Sequence, residues 1–316
     1  MKQFAVFFLI FASLLQVQAA GKIRLALNWK PEPQFGGFYS AQVNNLFKNE
    51  KLDVEILEGG SGTPTIQMLT AGKVEYAVVS ADEVILSHDR GATDVVAIFA
   101  AFQTNPQGVM THAAKNYASL EALLADDKAT LLWQAGLPYA QYLKKTKTIK
   151  ATTAPYLGGI GNFQKDESLA QQCFVTSEPL TAEAAGLKVK TFLVAESGYN
   201  PYTTVLVTRD SRAKAHPQEV LAMIKAVREG WNRYLQNPDS TNAHMQNLNR
   251  AMTIETFKKS AEAQKALIET SEAKGATLGR MTLARWQTLI DQLTDLKLIK
   301  KKLKPETLFA NPEPKR

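Results

Sequence analysis

The stretch Ile23-Arg24-Leu25-Ala26-Leu27-Asn28-Trp29 opens the part of the sequence that decides the fold. Its first five residues alternate as in a β-strand with one buried face. A loop rich in proline, glycine and aromatic residues follows at residues 28–38, then a short helix at 39–48 and a second strand at 54–57. We interpret this order as the strand, loop and helix unit of an α/β protein.

The same order of elements continues along the chain. Residues 59–62 form a glycine-rich turn, Thr63 is predicted to cap a helix with Pro64 at its first position, and Gly72 ends that helix. Further short apolar strands are predicted at residues 76–79, 95–100, 131–133, 151–156, 173–176, 189–194 and 204–208. Strands of this kind that alternate with helices predict a mainly parallel sheet.

Beyond residue 208 nearly all of the chain is predicted to be helical. Apolar residues recur there at helical spacing in two sets: Val220, Ile224, Val227, Trp231 and Tyr234, then Leu283, Trp286, Leu289, Ile290 and Leu293. The length of 316 residues, 45% of them hydrophobic, suits two lobes. We predict lobe 1 from residues 20–106 and 204–316, lobe 2 from residues 107–203, and a hinge at the crossings near Gln107 and Thr203.

The first 19 residues have the pattern of a secretory signal. Lys2 provides a positive charge, residues 4–15 are apolar, and Val17-Gln18-Ala19 suits cleavage after Ala19. An uncleaved anchor is the alternative, although the apolar run is short for a stable membrane span. No cysteine follows the cleavage site to carry a lipid. We therefore expect a soluble protein in the periplasm of a Gram-negative cell.

The charge and cysteine content exclude some classes of function. The net charge is +7, but the lysines are dispersed, and the run at residues 300–304 is predicted to be a solvated surface. This pattern argues against nucleic-acid binding, which favours basic residues interleaved with aromatic ones. Cys173 is the single cysteine, and its apolar neighbours predict a buried small side chain.

Two candidate binding segments follow strands of lobe 1. In open α/β sheets, ligands bind at the carboxyl ends of the strands. The first segment offers Asn28 together with Trp29, Phe35 and Tyr39. The three aromatic rings could stack on a flat ligand, or they could pack the lobe interior. The second is the turn with Gly60 and Ser61, whose backbone N–H groups could hold an oxyanion, although a plain turn is the alternative.

Two further segments combine a helix start with polar groups. Ser80 and Ala81 begin a predicted capping box that Glu83 completes, and this helix start should point into the cleft. In residues 176–179, we predict that Pro179 starts a helix and that Glu178 caps it. The Glu178 carboxylate could also accept hydrogen bonds from an amino-substituted ligand.

Tyr199 and Tyr202 lie at the second crossing, where they could close over a ligand or pack the hinge. Signals of catalysis are weak in the rest of the sequence. The four histidines are scattered without metal-ligand spacing, and no G-x-S-x-G motif is present. We therefore expect neither a metal nor a cofactor.

Several motifs resemble one family of receptors, the thiamine-pyrimidine and sulfonate/nitrate/taurine solute-binding proteins. The motifs are Asn28-Trp29-Lys30-Pro31, Gly36-Gly37-Phe38-Tyr39, Gly72-Lys73-Val74-Glu75-Tyr76, Ser80-Ala81, Arg90-Gly91-Ala92, Phe174-Val175-Thr176-Ser177-Glu178-Pro179 and Tyr199-Asn200-Pro201-Tyr202-Thr203. The resemblance implies a two-lobed periplasmic-binding-protein fold of type II, with two crossing strands as a hinge that closes on a ligand. It also implies an ABC permease and an ATPase in the inner membrane as partners of a monomeric receptor.

The resemblance also implies pocket residues, namely Asn28, Trp29, Tyr39, Ser80, Tyr156, Glu178 and Tyr202. In the pyrimidine-binding branch an aromatic side chain stacks on the ring and a carboxylate pairs with its amino group. Trp29 and Glu178 suit these roles, so a small planar nitrogen heterocycle is the expected ligand. An aliphatic sulfonate, nitrate or taurine is the alternative ligand, and a sensor linked to a membrane kinase is the alternative role.

One branch of the family is enzymatic. The fungal pyrimidine synthases consume a bound pyridoxal phosphate and one of their own histidines. Aligned by the block at residues 74–91, the positions of that lysine and histidine are Val79 and Glu83 in this chain. The cysteine-rich iron motif of the branch is absent too, since Cys173 stands alone. We therefore expect a binding protein and no enzyme.

Overall fold

A computed structural model describes residues 21–313, so the predicted signal segment at residues 1–19 lies outside the described residues. The described chain contains two five-stranded sheets. The strands are β1 Ile23–Ala26, β2 Val54–Leu57, β3 Tyr76–Val79, β4 Val95–Phe102, β5 Gln107–His112, β6 Thr130–Trp133, β7 Thr152–Pro155, β8 Leu169–Phe174, β9 Val189–Leu193 and β10 Thr203–Arg209. We call the unit around the first sheet lobe 1 and the unit around the second sheet lobe 2.

Helices connect the strands and cover both sheets. They are α1 Gly36–Val43, α2 Leu46–Asn49, α3 Thr65–Thr70, α4 Ala81–Asp89, α5 Leu120–Leu124, α6 Pro138–Thr146, α7 Gly161–Lys165, α8 Glu178–Ala184, α9 Asp210–Ala215, α10 Pro217–Gln236, α11 Asp239–Leu248, α12 Ile254–Ala263, α13 Lys265–Ile268 and α14 Leu283–Asp295. None of the helices in the described part of the chain is long and apolar enough to cross a membrane.

Each sheet is mixed, with one strand running against the other four. The orders are β2-β1-β3-β10-β4 in lobe 1 and β7-β6-β8-β5-β9 in lobe 2. β10 is antiparallel to β3 and β4, and β5 is antiparallel to β8 and β9. The prediction of a mainly parallel sheet therefore did not include the reversed direction of β5 and β10. Each of them enters from the other lobe at the edge where the remaining strands end, and so it must run in the opposite direction.

The two crossings that join the lobes are bonded to each other. One leads from β4 to β5 and the other from β9 to β10. The Asn105 backbone N–H donates to Asn200 Oδ1 at 2.8 Å, and the Ala81 N–H donates to the Tyr202 carbonyl at 3.0 Å. The carboxyl ends of the strands in one sheet therefore face those in the other. The predicted lobe boundaries at residues 107 and 204 stay a prediction.

Several local predictions are wrong in their bounds. The predicted strand at residues 173–176 is β8, which ends at Phe174 because the Ser177 N–H bonds back to the Phe174 carbonyl at 2.9 Å in a turn. The predicted helix at residues 39–48 starts at Gly36 and is broken at Asn45, whose φ is +55°. Strand β5 was not predicted, since its sequence has no clear alternation.

Other predictions were wrong at element ends or surfaces. α3 starts at Thr65, and Pro64 occupies the N-cap position predicted for Thr63. Leu283 is 50% exposed at the first turn of α14, although the other four residues of its set are buried.

Two predictions about individual side chains are confirmed. Cys173 is buried as predicted, and the lysines of residues 300–304 are exposed.

Lobe 1 depends on the close approach of α1 and α10. A Cβ on Gly37 would lie 2.1 Å from the Trp231 ring, and a Cβ on Gly230 would lie 2.1 Å from the Gly37 carbonyl oxygen. Trp231 itself is fully buried between Phe38 and Phe102. The glycines thus let the two helices touch at their backbones and hold the loop before α1 against the sheet.

We predict that Gly230→Ala destabilises the protein by about 1–3 kcal/mol, because the new methyl group meets backbone that cannot rotate aside. Urea unfolding followed by circular dichroism measures the change. Gly161→Ala is the matched control, since its Cβ would have no heavy atom within 4 Å. It should stay within about 1 kcal/mol of wild type. Equal stabilities of the two variants would contradict the close helix contact.

Candidate functional site

The site lies where the carboxyl ends of the strands in the two sheets meet. Lobe 1 contributes the loops after β1, β2 and β3, and lobe 2 contributes those after β6, β7 and β8. Two hydrogen bonds cross between the lobes here. Ser177 Oγ donates to Glu32 Oε2 at 3.4 Å, and Ser260 Oγ donates to the Thr176 carbonyl. The two edges therefore form opposite walls of one cleft.

The wall of lobe 1 is built around Trp29 and Glu32. The indole N–H of Trp29 donates to Glu32 Oε1 at 3.1 Å, and Trp29 and Asn28 are both half-buried. The Gly59 N–H donates to the Trp29 carbonyl at 3.1 Å. A Cβ on Gly59 would lie 2.1 Å from the Leu27 carbonyl oxygen, so only glycine allows these two loops to touch. This contact fixes the position of the indole.

The wall of lobe 2 is built around Glu178. Its Oε1 accepts from the Tyr156 hydroxyl at 3.1 Å, and its Oε2 accepts from the Phe174 N–H at 2.8 Å. The helix begins one residue earlier than predicted, because Ser177 is the N-cap and Glu178 is the first residue of α8. The Glu178 carboxylate is thus held by a donor from the loop after β7 and by a donor from the end of β8. It lies on the side of lobe 2 that faces Glu32.

The two carboxylates raise the cost of negative charge in the cleft. Burial and then the charge of Glu178 raise the pKa of Glu32 to about 7, against opposing effects of Trp29, Ser177 and Lys30. Burial also raises the pKa of Glu178, although hydrogen bonds from the backbone and from Tyr156 oppose it. Near neutral pH, a proton is therefore held by this pair in a fraction of the molecules.

A cavity of about 340 Å³ adjoins this pair on the lobe 2 side. It lies between the loops that follow β6 and β7, and its lining includes Trp133, Gln134, Leu137 and Tyr156. Tyr156 connects the two features, since its ring lines the cavity and its hydroxyl contacts Glu178. The cavity therefore extends the cleft beside the carboxylates and has an aromatic boundary.

Ser80 and Ala81 lie at the start of α4, as predicted. The Glu83 carboxylate accepts from the Ser80 N–H at 2.8 Å, which is the backbone half of the predicted capping box. The predicted capping box is therefore present, and the Glu83 N–H also bonds to Asp82 Oδ1 at 3.0 Å. Ala81 is fully buried, and its N–H donates to the Tyr202 carbonyl in the second crossing. This helix start is fixed to the hinge.

Phe35 and Tyr39 lie in the core of lobe 1, each 1% exposed. Tyr39 has a buried hydroxyl without a hydrogen-bond partner among the described residues. In the turn after β2, the Gly60 N–H donates to Thr63 Oγ1 at 2.8 Å, so this donor is already engaged. Ser61 is exposed in the same turn.

The hydroxyls of the two hinge tyrosines are engaged in structural hydrogen bonds. The Tyr199 hydroxyl donates to Asp82 Oδ2 at 3.0 Å, and the Tyr202 hydroxyl accepts from the Thr282 N–H at 3.1 Å. The Arg285 guanidinium lies 3.7 Å from the Tyr202 ring centroid. Both tyrosines are at most 2% exposed. In this conformation they pack the hinge, which was the alternative to contact with a ligand.

The predictions from sequence missed Glu32, Ser177 and the loop that begins at Gln134. All three follow predicted strands, so the rule that ligands bind at strand ends applied to them as well. Glu32 lies three residues after Trp29, inside a segment already selected for its aromatic residues. What the sequence could not indicate is that the Glu32 side chain turns towards α8 of the other lobe.

Val79 and Glu83, the residues aligned with the lysine and histidine of the pyrimidine synthases, do not fit the chemistry of those enzymes. Val79 is fully buried at the end of β3 and has no amine, and the Glu83 carboxylate is bound to the Ser80 backbone. Cys173 is buried in lobe 2. Within residues 21–313 no group of three or more His, Cys, Asp or Glu side chains is placed to hold a metal ion.

Comparison with known proteins places this geometry among related chains. A family model described as "NMT1/THI5 like" matches residues 32–153 and 159–241. The formylaminopyrimidine-binding protein of Halalkalibacterium halodurans is 22% identical over 289 residues, which cover 87% of this chain and 86% of that protein. Similarity to this binding protein thus extends over both lobes.

The 4-amino-5-hydroxymethyl-2-methylpyrimidine phosphate synthase THI11 of Saccharomyces cerevisiae is 22% identical over 175 residues. This match covers 55% of the chain and 44% of the yeast protein, so the chain spans less than half of that relative. Among solved structures, the periplasmic aliphatic sulphonate binding protein SsuA from Escherichia coli has a TM-score of 0.71 at 12% identity, with 93% of this chain and 94% of that chain covered. The likeness establishes the two-lobed periplasmic-binding-protein fold.

We predict that Glu32→Gln stabilises the protein at pH 8 and leaves it nearly unchanged at pH 5. The pKa of Glu32 is about 7 in the folded protein and near its ordinary value of 4.5 in the unfolded chain, so folding binds a proton between these values. The free energy of unfolding of wild type therefore decreases as pH rises from 4.5 to about 7, and this effect adds no further decrease above pH 7. Glu32→Gln lacks this decrease, so the two proteins should differ by up to about 3 kcal/mol above pH 7.

Thermal unfolding of wild type and Glu32→Gln at half-unit steps from pH 5 to pH 8.5 measures this difference. Glu255→Gln, which removes an exposed carboxylate from α12, is the matched control and should run parallel to wild type. A Glu32→Gln curve that also runs parallel to wild type would refute the raised pKa.

Proposed function

Because the chain belongs to the NMT1/THI5-like family, we propose that it is the receptor of an ABC importer for a small planar nitrogen heterocycle. The ligand binds in the cleft between the lobes and is passed to a permease and an ATPase in the inner membrane. The observation that carries the proposal is the placement of the Trp29 indole and the Glu178 carboxylate on opposite walls of one cleft, joined through Glu32 and Ser177.

These groups suit an aminopyrimidine. A flat ring gains by stacking on the half-buried indole of Trp29. An exocyclic amino group is a donor, and the Glu178 carboxylate is an acceptor oriented by Tyr156 and the Phe174 backbone. The cavity beside Tyr156 offers space for a ring substituent. The relative named formylaminopyrimidine-binding protein, which matches both lobes, supports this class of ligand.

An anionic ligand fits this cleft less well. A sulfonate or nitrate would enter beside two carboxylates, and burial strengthens the repulsion between like charges. The Gly60 N–H, a predicted donor to an oxyanion, is already bound to Thr63. The structural likeness to a sulphonate-binding protein at 12% identity concerns the fold alone. A sulfonate receptor therefore remains the alternative that the ligand panel below tests.

We propose binding without chemistry. The synthases of the family that match this chain are yeast and Candida proteins, and the THI11 match covers less than half of its length. Val79 and Glu83 replace the lysine and histidine that the enzymatic branch requires. We therefore expect the purified protein to show no absorbance band of bound pyridoxal phosphate.

The remaining predictions belong to the same proposal. We propose that the segment at residues 1–19 directs export to the periplasm and is removed near Ala19, and that the mature receptor is a monomer. Residues 20–106 and 204–316 form lobe 1, residues 107–203 form lobe 2, and the crossings bend as the cleft closes. In this proposal the pocket includes Asn28, Trp29, Tyr156 and Glu178.

We predict that aminopyrimidines stabilise the purified mature protein and that sulfonates do not. A ligand at 100 times its dissociation constant adds about 2.7 kcal/mol to the free energy of unfolding. The panel for thermal-shift measurement is formylaminopyrimidine, 4-amino-5-hydroxymethyl-2-methylpyrimidine, methanesulfonate, nitrate and taurine. If only the sulfonates raise the melting temperature, the proposed ligand class is wrong.

We predict that Trp29→Ala weakens aminopyrimidine binding roughly 5- to 100-fold, since loss of ring stacking costs about 1–3 kcal/mol. Isothermal titration calorimetry measures the dissociation constant. Tyr117→Ala is the matched control, because it removes an aromatic ring that lies after the end of β5 remote from the cleft and bonds to Asp126. Equal affinity of Trp29→Ala and wild type would remove the stacking interaction from the proposal.

A further inference from the structure

Two carboxylates from different lobes lie on facing walls of the cleft, where Ser177, the residue before Glu178, donates a hydrogen bond to Glu32. Glu32 comes from the loop after β1, and Glu178 comes from the start of α8. In the described part of the chain, no lysine or arginine nitrogen lies within 4.0 Å of either carboxylate. Both residues are half-buried, and carboxylates removed from water are usually paired with a cation or protonated.

We propose that Glu32 and Glu178 share one proton in the unliganded protein and select a ligand that supplies the positive charge in its place. The ligand class is a heterocycle with an amidine-type edge, in which a ring nitrogen lies next to an amino group and takes up the proton. This inference rests on the proposed function, because it assigns the chemistry of the same cleft.

The hydrogen bonds of the two carboxylates leave room for such a ligand. The Glu32 oxygens accept from Trp29 and Ser177, and the Glu178 oxygens accept from Tyr156 and the Phe174 backbone. Each of these oxygens has one protein donor, and a carboxylate can accept about four hydrogen bonds in total. An amidinium edge carries donors on both nitrogens, so it can bond to both acids at once.

The groups around Glu32 explain why the proton stays in the pair. On its own loop, Trp29 donates a hydrogen bond and Lys30 is exposed. From α8 it meets Ser177 and Glu178, and burial together with the charge of Glu178 raises its pKa. α12 packs on the same loop with uncharged groups, since Gln264 Nε2 donates to the Pro33 carbonyl at 3.0 Å. Among the residues that the structure describes, Glu178 is the ionisable group of the other lobe that acts on Glu32.

The proposal predicts opposite pH dependences for two ligands. A neutral aminopyrimidine needs the shared proton, so its affinity should fall by up to about tenfold per pH unit above the pKa of the pair. Benzamidine is cationic throughout this range and must displace the proton. Its affinity should therefore rise by up to about tenfold per unit as pH increases from 6 towards that pKa.

The first experiment needs no ligand, because the indole N–H of Trp29 bonds directly to Glu32. Its ¹H–¹⁵N resonance, assigned with Trp29→Phe, should shift between pH 5.5 and 8.5 with a midpoint near 7, the pKa of Glu32. Glu178→Gln should lower the midpoint, since it removes the second charge. Glu255→Gln is the control and should leave it unchanged. A resonance that does not titrate, or a midpoint that Glu178→Gln leaves in place, overturns the shared proton.

The second experiment is calorimetric titration of wild type, Glu32→Gln and Glu255→Gln with 4-amino-5-hydroxymethyl-2-methylpyrimidine and with benzamidine from pH 6 to 9. Opposite slopes in wild type, together with at least tenfold weaker benzamidine binding to Glu32→Gln, support the proposal. If the aminopyrimidine binds equally well at every pH and to Glu32→Gln, the selection by the pair is wrong while the proposed function stands. If neither probe binds wild type and taurine does, the proposed function and the selection of cations are both wrong.

Discussion

The two crossings between the lobes constrain everything else in this protein. They are hydrogen-bonded to each other through Asn105 and Asn200, so the chain leaves one sheet and enters the other at the same place. Because the crossing strands β5 and β10 start there, the other strands of both sheets end there. Loops that are far apart in sequence are thereby brought face to face, and the cleft is a consequence of this topology.

Within the cleft, burial is the main cause of the raised pKa values of Glu32 and Glu178. Two carboxylates in a partly water-excluded space disfavour each other's ionisation, and the Glu32 pKa responds to both burial and Glu178. On our proposal, a ligand that carries a proton or takes one up from the pair removes that cost, whereas an anionic ligand leaves it in place. On our proposal, the same pair connects the choice of ligand with pH.

The relatives illustrate that one fold can occur with different ligands. SsuA shares the architecture over 93% of this chain, yet it is an aliphatic sulphonate binding protein. The formylaminopyrimidine-binding protein and the yeast synthase match parts of the same chain, one as a receptor and one as an enzyme. Side chains at the strand ends decide among these roles, since the scaffold is common to all.

The sequence by itself determined the α/β class, nine of the ten strands to within a few residues, the long amphipathic α10, and the segments that carry Trp29 and Glu178. These features depend on local periodicity and on turn residues, which a sequence displays directly. Tertiary structure alone decided that β5 and β10 run against their sheets, that Tyr199 and Tyr202 bind the hinge, and that Glu32 faces Glu178. Such contacts join residues far apart in the sequence, as Tyr199 and Asp82 are at a separation of 117 positions, and their burial and mutual charge arise only when the chain is folded.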